Sequence, residues 1–237
     1  MQKSDQYRWF IKNYWNYYRE LEDEFIQTKR YVDFCEDNFM VYSVEFLKLY
    51  QAVCSEIDVI GKSMANLTNS SFKAEDKKNN IYKWWYEIQA TYTIAKDSPY
   101  KNPPEVPEIG LTDYICTFLD SFELQPWANF EVETYVAADH SLRYRLKQGK
   151  SLPAWWADYN SVKHNRTSAV NGESNSTNYR KANFGNLSNA FAALYTLEIA
   201  YMESVGTRDE LEAFADTSIL FVKVENATTS EIEALFV

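Results

Sequence analysis

The 237-residue chain is 46% hydrophobic and 24% charged, a balance that allows one large globular core or two small ones. Its 34 acidic and 24 basic residues give a net charge of −10, which disfavours nucleic acid or anionic lipid unless basic residues gather locally. Six glycines and six prolines argue against a turn-rich β-sandwich, and 16% aromatic residues argue against disorder. The composition favours long helices.

The cysteines and the N-terminus indicate the compartment. Cys35, Cys54 and Cys116 are widely spaced, odd in number and without a C-x-x-C pair, so we expect buried free thiols and no disulfide framework or zinc site. No apolar run approaches the roughly 20 residues of a membrane helix, and the first residues lack the apolar stretch of a signal peptide. We therefore expect a cytoplasmic protein with no membrane partner.

The first half of the chain is predicted to be helical. Apolar and aromatic residues recur every three or four positions over 7–30, 39–67 and 75–95, which predicts three long helices. Gly61 is a weak point or a stop in the second of them. The segment 102–107, Asn-Pro-Pro-Glu-Val-Pro, is predicted to be a connector, because each proline removes a backbone donor and disfavours α conformation before it.

The middle of the chain changes character. Residues 112–136 mix β-branched and aromatic side chains, and both short strands and a broken helix fit this mixture. Pro153 suits the first turn of a helix that should run from 154 to 166. Residues 167–177, rich in Ser, Asn and Gly, are predicted to form a loop.

The last predicted elements complete the fold class. A long helix is expected over 178–204 with Gly206 as its stop, and 218–224 is dense enough in β-branched residues to be a strand. We expect a mainly α protein, a multi-helix bundle with a small β-containing insertion around 109–136 that the last strand joins. The expected organisation is one domain over 1–237, with a helical core at 1–98 and 153–205, an insertion or connector at 99–152 and a C-terminal segment at 206–237.

One predicted helix carries a polar constellation. On a helix over 154–166, Asn160 and His164 lie four residues apart on one face, and Trp156 lies one turn earlier as an aromatic anchor. This arrangement marks a candidate functional histidine. The alternative is a core histidine whose hydrogen bonds seal a helix pair.

The following helix supplies amides that fit this histidine. Asn183, Asn186 and Asn189 recur every three residues along the edge of its apolar stripe. If the two helices pack antiparallel, these amides are expected to fix the tautomer and orientation of the His164 imidazole.

Basic residues gather in the same part of the chain. From 141 to 181 there are eight basic residues and only two acidic ones, Asp158 and Glu173. The basic residues are Arg143, Arg145, Lys147, Lys150, Lys163, Arg166, Arg180 and Lys181. Because attraction to a polyanion is local and screened within about 10 Å, such an island suits phosphate binding. The alternative is a solvated basic face that pairs with the acidic C-terminal third.

This region resembles a known family. The pattern Trp155-Trp-x-x-Tyr159-Asn160-x-x-Lys163-His164-x-Arg166, then Asn178-Tyr-x-x-Ala182-Asn183-x-x-Asn186-x-x-Asn189, is similar to the closing helix pair of bacterial HEPN-like proteins. The resemblance covers about 50 residues. It implies an α-helical, usually dimeric domain, which in defence and toxin–antitoxin systems often acts as a metal-independent ribonuclease and in other members is an inactive binding module.

The resemblance also implies roles for individual residues. His164 would act as acid or base on a ribose 2′-hydroxyl, and Lys163 or Arg166 would supply the positive charge that stabilises the phosphorus centre, beside Asn160. Trp156, Asn183, Asn186, Arg143 and Arg145 complete the expected binding groove.

The usual catalytic arginine is replaced in this chain. The family pattern places an arginine at one of three positions upstream of the histidine, which here are Ala157, Asp158 and Tyr159. Arg166 lies two residues after His164 and points about 200° away from it around the helix. It would therefore more easily complete the site of a second subunit than its own.

Other chemistry lacks its sequence pattern. The two histidines, His140 and His164, follow Ala137 and Ser161 at the spacing where a carboxylate-bridged metal site needs glutamate, so no metal is expected. Phosphate-loop, dinucleotide and nucleophile-elbow motifs do not occur, so no cofactor is expected. RNA and a second copy of the chain are the expected partners. The alternative function is a non-catalytic helical interaction or scaffold module.

Overall fold

The computed structural model describes residues 3–76, 79–95, 108–170, 173–207, 210 and 218–223, and it is mainly helical, as predicted. The helices are α1 (Lys3–Phe10), a π-helix (Ile11–Trp15), α2 (Asn16–Gln27), α3 (Val44–Thr68), α4 (Ile81–Ile88), α5 (Ala154–Asn165) and α6 (Phe184–Val205). Short 3₁₀ turns are formed by Thr28–Arg30, Glu36–Asn38 and Asn178–Lys181. The predicted connector at 102–107 lies outside the described residues.

The strands form small antiparallel groups. They are β1 (Thr93–Ala95), β2 (Glu108–Gly110), β3 (Cys116–Phe118), β4 (Phe122–Leu124), β5 (Val132–Val136), β6 (Leu142–Leu146), β7 (Ala169–Val170), β8 (Glu173–Thr177) and β9 (Phe221–Lys223). β1 pairs with β2, β5 with β6 and β7 with β8, while β3 lies between β4 and β9. The ambiguous 112–136 segment therefore forms strands, and the predicted C-terminal strand joins them.

The first predicted helix is continuous but irregular. Residues 3–27 stay helical through α1, the π-helix and α2, since no glycine or proline interrupts them. The π-helix widens the turn that carries Tyr14 and Trp15, both of which are buried. Periodicity alone does not reveal this local widening.

The second helix begins later than predicted and passes through its glycine. Ser43 Oγ accepts the Phe46 N–H at 3.0 Å, and this cap sets the start of α3. Gly61 does not end the helix. A Cβ on Gly61 would lie 2.6 Å from Trp84 Cε3, so the glycine is required by the close approach of α4.

Two further helices are shorter than predicted because asparagine caps start them. Asn80 accepts the Lys83 N–H at 3.2 Å and begins α4, which ends at Ile88 before the chain enters β1. Asn183 caps α6, so the first residues of the predicted last helix form a 3₁₀ turn. Gly206 follows the last residue of α6, as predicted. The predicted 167–177 loop contains β7 and β8, which periodicity did not indicate.

Aromatic side chains join the helices to the β region. α3 packs against both α4 and α6, and α6 is buried along most of its length. The Trp85 indole donates to the Phe130 carbonyl at 2.9 Å, and the Trp155 indole donates to the Pro126 carbonyl at 2.8 Å. These bonds satisfy the indole N–H groups inside the core and fix the 126–130 turn against the helices.

A buried carboxylate holds the C-terminal strand. Glu22 is fully buried on α2, and its Oε1 accepts the backbone N–H groups of Ile219 and Leu220, both at 3.0 Å, and the Tyr18 hydroxyl at 3.0 Å. Its Oε2 accepts the Arg19 guanidinium at 2.5 Å. The residues that lead into β9 are thus tied to α2 by a satisfied buried charge.

Two further expectations concern the state of the cysteines and the presence of a membrane-spanning helix. All three cysteines are free thiols; Cys54 and Cys116 are buried, whereas Cys35 is partly exposed. Burial raises the pKa of both buried thiols well above its usual range. Among the residues that the structure describes, no helix has the length and apolar character needed to cross a bilayer.

Candidate nucleic-acid interface

The face of α5 that meets the core is aromatic. Trp155, Trp156, Tyr159 and Val162 are buried, and His164 is exposed on the opposite side of the helix. Trp156 is only 6% exposed, so it anchors α5 in the core. The expectation that Trp156 forms part of the binding groove is therefore wrong. The alternative of a buried core histidine is wrong, because His164 faces solvent.

The expected contact between His164 and the asparagine amides is not formed in the described part of the chain. Asn183 Oδ1 accepts the Asn186 N–H at 2.9 Å, and Asn189 Nδ2 donates to the Gly185 carbonyl at 2.9 Å. Asn186 Nδ2 donates to Asp158 Oδ2 at 3.0 Å. On a helix with 100° between residues, Asp158 and His164 point about 120° apart, so the amides meet a different face of α5.

The N-terminal half of the predicted basic island is neutralised. β6 pairs with β5, and each basic residue of β6 and of the segment after it meets a carboxylate of β5, of the residue before β5 or of the hairpin turn. The pairs are Arg143–Asp139 at 2.7 Å, Arg145–Glu133 at 2.8 Å, Lys147–Glu131 at 2.9 Å, and Lys150–Glu131. Arg143 and Arg145 were expected in the binding groove, but Glu133 lies opposite Arg145 on β5 and Asp139 of the hairpin turn meets Arg143.

The C-terminal half of the island keeps its charge. Lys163, Arg166 and Arg180 are exposed and make no salt bridge within the described ranges, while Lys181 pairs with Asp158 at 2.8 Å. We call Lys163, His164, Arg166 and Arg180 the basic corner.

Hydrogen bonds to backbone carbonyls bring the two parts of the basic corner together. The Tyr179 N–H donates to the Arg166 carbonyl at 3.1 Å, and Asn178 Nδ2 donates to the Asn165 carbonyl at 2.9 Å. The 3₁₀ turn is therefore fixed to the C-terminal end of α5. Lys163 and His164 also lie in the last turn of α5, where positive charge is favourable to the helix dipole.

A pair of tyrosines lies beside the basic corner. Tyr42 and Tyr179 meet edge to face with their ring centroids 5.4 Å apart, and the Arg180 guanidinium lies 5.7 Å from the centre of the Tyr42 ring. Tyr42 is 39% exposed. The corner thus combines cations with accessible aromatic faces, the two features that single-stranded nucleic acid needs.

A pocket of about 520 Å³ with both polar and apolar lining adjoins the corner at the start of α6. It is lined by Phe39, Met40, Asp158, Val170, Ser176, Arg180, Lys181, Asn183, Gly185, Asn186 and Asn189. The predicted residues Asn183 and Asn186 therefore line a pocket together with Arg180, whereas His164 does not line it. Its volume falls in the range of small-molecule sites.

Sequence reasoning missed Tyr42, Tyr179 and the pair between Asp158 and Lys181. The sequence marks Asp158 as one of two acidic residues in the basic island and as a residue standing where the family has its arginine, but it does not indicate this ion pair. Tyr42 is distant in sequence and reaches the site through a bridge to Asn183, which no local pattern indicates.

Two buried carboxyls form a second unusual feature. Glu198 of α6 is fully buried, and neither of its oxygens has a hydrogen-bond partner among the residues that the structure describes. Burial first, and then the nearby Glu56 of α3, hold the pKa of Glu198 well above its usual range. Burial also raises the pKa of Glu56 to about 7. Within the described ranges no group of three or more His, Cys, Asp and Glu residues is placed to hold a metal ion.

Comparison of the chain with protein-family models, curated proteins and solved structures gave no match. The functional assignment therefore rests on the residues and geometry described above.

Proposed function

We propose that this protein binds RNA through the basic corner and the adjoining pocket, as a HEPN-like cytoplasmic protein with a helical-bundle core. One observation supports the proposal most directly. Lys163, Arg166 and Arg180 are exposed, have no acidic partner within the described ranges and lie beside the pair formed by Tyr42 and Tyr179.

Local charge is what makes RNA binding compatible with an acidic chain. The net charge of −10 repels a polyanion at long range, but salt screens that repulsion beyond about 8–10 Å. Within that distance, phosphates meet the basic corner, and each neutralised phosphate releases counterions. Stacking of bases on tyrosine contributes about 1–3 kcal/mol per base and does not depend on sequence.

Fluorescence anisotropy with a labelled single-stranded RNA tests the proposal. Replacing Arg166 and Arg180 with Gln removes two unpaired cations; we expect about tenfold or more weaker binding and a salt slope lowered by about 1.4, or 0.7 per lost phosphate contact. The matched control replaces Arg143 and Arg145 with Gln, which changes the net charge equally but on the paired hairpin.

The control variant should bind nearly as tightly as the unchanged protein. Equal losses in both double variants would show that only overall charge matters and would contradict the assignment of the corner. No binding at low salt would contradict the proposal altogether.

RNA cleavage would require more than one copy of the chain. His164 faces solvent, and Arg166, two residues later, points about 200° away around the helix. A homodimer that sets Arg166 of one copy against His164 of the other would complete a metal-independent site.

Cleavage in excess chelator tests the dimer activity. Activity that is lost in His164→Ala and kept in His140→Asn would assign His164 as the acid or base. His140 is the matched control because it lies at the turn of the β5–β6 hairpin with φ near 60°, a conformation that asparagine tolerates. No cleavage by a protein that binds RNA would define a binding module.

A protein-interaction module is the second candidate, favoured by one specific feature. Val136 and Leu142 are cross-strand partners at the end of the β5–β6 hairpin and are 68% and 60% exposed. Such an apolar pair on a projecting hairpin suits a protein partner. If the chain binds no RNA, the apolar pair of Val136 and Leu142 becomes the candidate contact surface for a protein partner.

A further inference from the structure

We infer that the pocket at the start of α6 recognises a nucleobase that carries an exocyclic amino group, and that it distinguishes such a base from one without the group. This inference rests on the proposed RNA binding and assigns the pocket a role separate from that of the basic corner. The corner would hold phosphates, and the pocket would read a base.

The helix end itself does not offer donors to a phosphate. The N–H groups of Phe184 and Gly185 donate to the carbonyls of Val41 and Phe39 at 2.8 and 3.0 Å, and the Asn186 N–H donates to the cap. A phosphate at a helix N-terminus needs these N–H groups free. The pocket therefore suits a different chemical group.

Two of the three charged residues that line the pocket are paired with each other. Asp158 and Lys181 form an ion pair, and Asn186 Nδ2 donates to both the Asp158 carboxylate and the Lys181 carbonyl, at 3.0 and 2.9 Å. Arg180, the third, belongs to the basic corner, where it would hold a phosphate of the same strand. The surface formed by the ion pair and the amides of α6 carries little net charge and suits an uncharged polar ring.

Two acceptor oxygens remain available. The side-chain nitrogen of Asn186 donates to the Asp158 carboxylate and the Lys181 carbonyl, and that of Asn189 donates to the Gly185 carbonyl. Because all three groups are acceptors, the remaining polar atom of each amide is its oxygen, Oδ1. Neither oxygen accepts a hydrogen bond from the described residues. Three positions apart on α6, they lie on one face of the helix, where a donor such as an amino group satisfies them.

The pocket walls suit a flat ring. Phe39, Met40 and Val170 provide apolar surface in the same pocket as the amides. Gly185 lets Phe39 lie against α6, because a Cβ on Gly185 would be 3.1 Å from the phenyl side chain. A base placed between apolar walls and two acceptors would be oriented by its amino group.

The test compares two RNAs that differ in one amino group. A uridine 12-mer with a single central adenosine is compared by anisotropy with the same 12-mer carrying purine riboside, which lacks only the N6 amino group. The protein should bind the adenosine RNA roughly five- to tenfold more tightly, since the loss of one hydrogen-bond donor leaves an acceptor unpaired. Equal affinity for the two RNAs would overturn the inference.

A variant and a matched control assign the effect to the pocket. Asn189→Leu removes the acceptor and should abolish the preference for the adenosine RNA over the purine riboside RNA. Asn13→Leu is the control, because the Asn13 amide also donates to the carbonyl four residues earlier, that of Trp9, at 2.7 Å. Asn13 is exposed on the π-helix and is not among the residues that line the pocket. A preference that survives in Asn189→Leu would overturn the inference.

The two proposals fail in different ways. Binding of all RNAs without any preference would overturn base reading and leave RNA binding intact. No binding of any 12-mer would overturn both. The comparison of the two RNAs on the unchanged protein needs no variant to fold.

Discussion

Replacement of Glu198 by glutamine is predicted to stabilise the protein relative to the unchanged chain, by an amount that increases as the pH rises. Glu198 is completely buried in α6, and none of the described residues forms a hydrogen bond with either of its oxygens. Glu56 from α3, Tyr14 from the π-helix and Tyr201 from α6 itself lie close enough to interact electrostatically with it. None of these groups is a cation, so within the described part of the chain burial and its neighbours favour the neutral form of Glu198.

The sign follows from proton binding. Burial raises the pKa of Glu198 in the folded protein, whereas in the unfolded chain the pKa is about 4.3. Between these two pKa values the folded state holds a proton that the unfolded state has released. Folding stability contributed by Glu198 is therefore fully present below the unfolded pKa and falls as the pH rises towards the folded pKa, by up to about 1.4 kcal/mol per pH unit.

Urea unfolding from pH 4.5 to pH 8 measures this effect. Near pH 4.5 the variant and the unchanged protein should differ little, since both carry a neutral group of the same shape. The stability of Glu198→Gln relative to the unchanged protein should then grow with pH. Glu45→Gln, on an exposed glutamate of α3 whose partner is Lys48, is the control and should stay within about 0.5 kcal/mol throughout.

Two results would refute this reasoning. A difference between Glu198→Gln and the unchanged protein that does not vary with pH would mean that Glu198 does not retain its proton in the folded state. A Glu198→Gln variant whose stability falls relative to the unchanged protein as the pH rises would mean that the Glu198 carboxylate has a favourable partner.

Three further substitutions test the packing by their urea midpoints. Glu22→Ala should cost about 3–5 kcal/mol, because it leaves the buried Leu220 N–H without its acceptor; a loss below 1 kcal/mol would contradict the role of Glu22 in holding β9. Gly61→Ala should destabilise by about 1–3 kcal/mol, because the added Cβ meets the Trp84 ring, and stabilisation from better helix propensity would contradict the close packing. Asn183→Ala should cost about 1 kcal/mol through loss of the cap of α6, whereas no change would show that the cap is dispensable.

The helices could be predicted where their pattern is local. α5 and α6 follow apolar spacing, and Gly206 marks the end of α6 where expected. The starts of α3 and α4 were set by the caps at Ser43 and Asn80, which compete with the apolar periodicity of the residues before them. β7 and β8 lie in a polar segment whose pairing depends on contacts between residues, not on alternating hydrophobicity.

The candidate site was predicted only in part, for two physical reasons. The charge count from 141 to 181 did not include the strand that pairs with β6, so Arg145 looked unpaired although Glu133 lies opposite it. The asparagines of α6 were assigned to His164 by spacing, but Asn183 became the helix cap and Asn186 turned to Asp158. Strand partners and helix rotation are non-local, and neither can be read from one segment.

Photo-crosslinking with 4-thiouridine RNA tests the central claim most directly, because it locates the bound strand on the chain without any variant. We predict crosslinks in peptides that contain Tyr42, the end of α5 from Lys163 to Arg166, and Tyr179, and we predict that competitor RNA or high salt removes them. Crosslinks confined to the β5–β6 hairpin or to α1 and α2, or no crosslink at low salt, would contradict RNA binding at the basic corner.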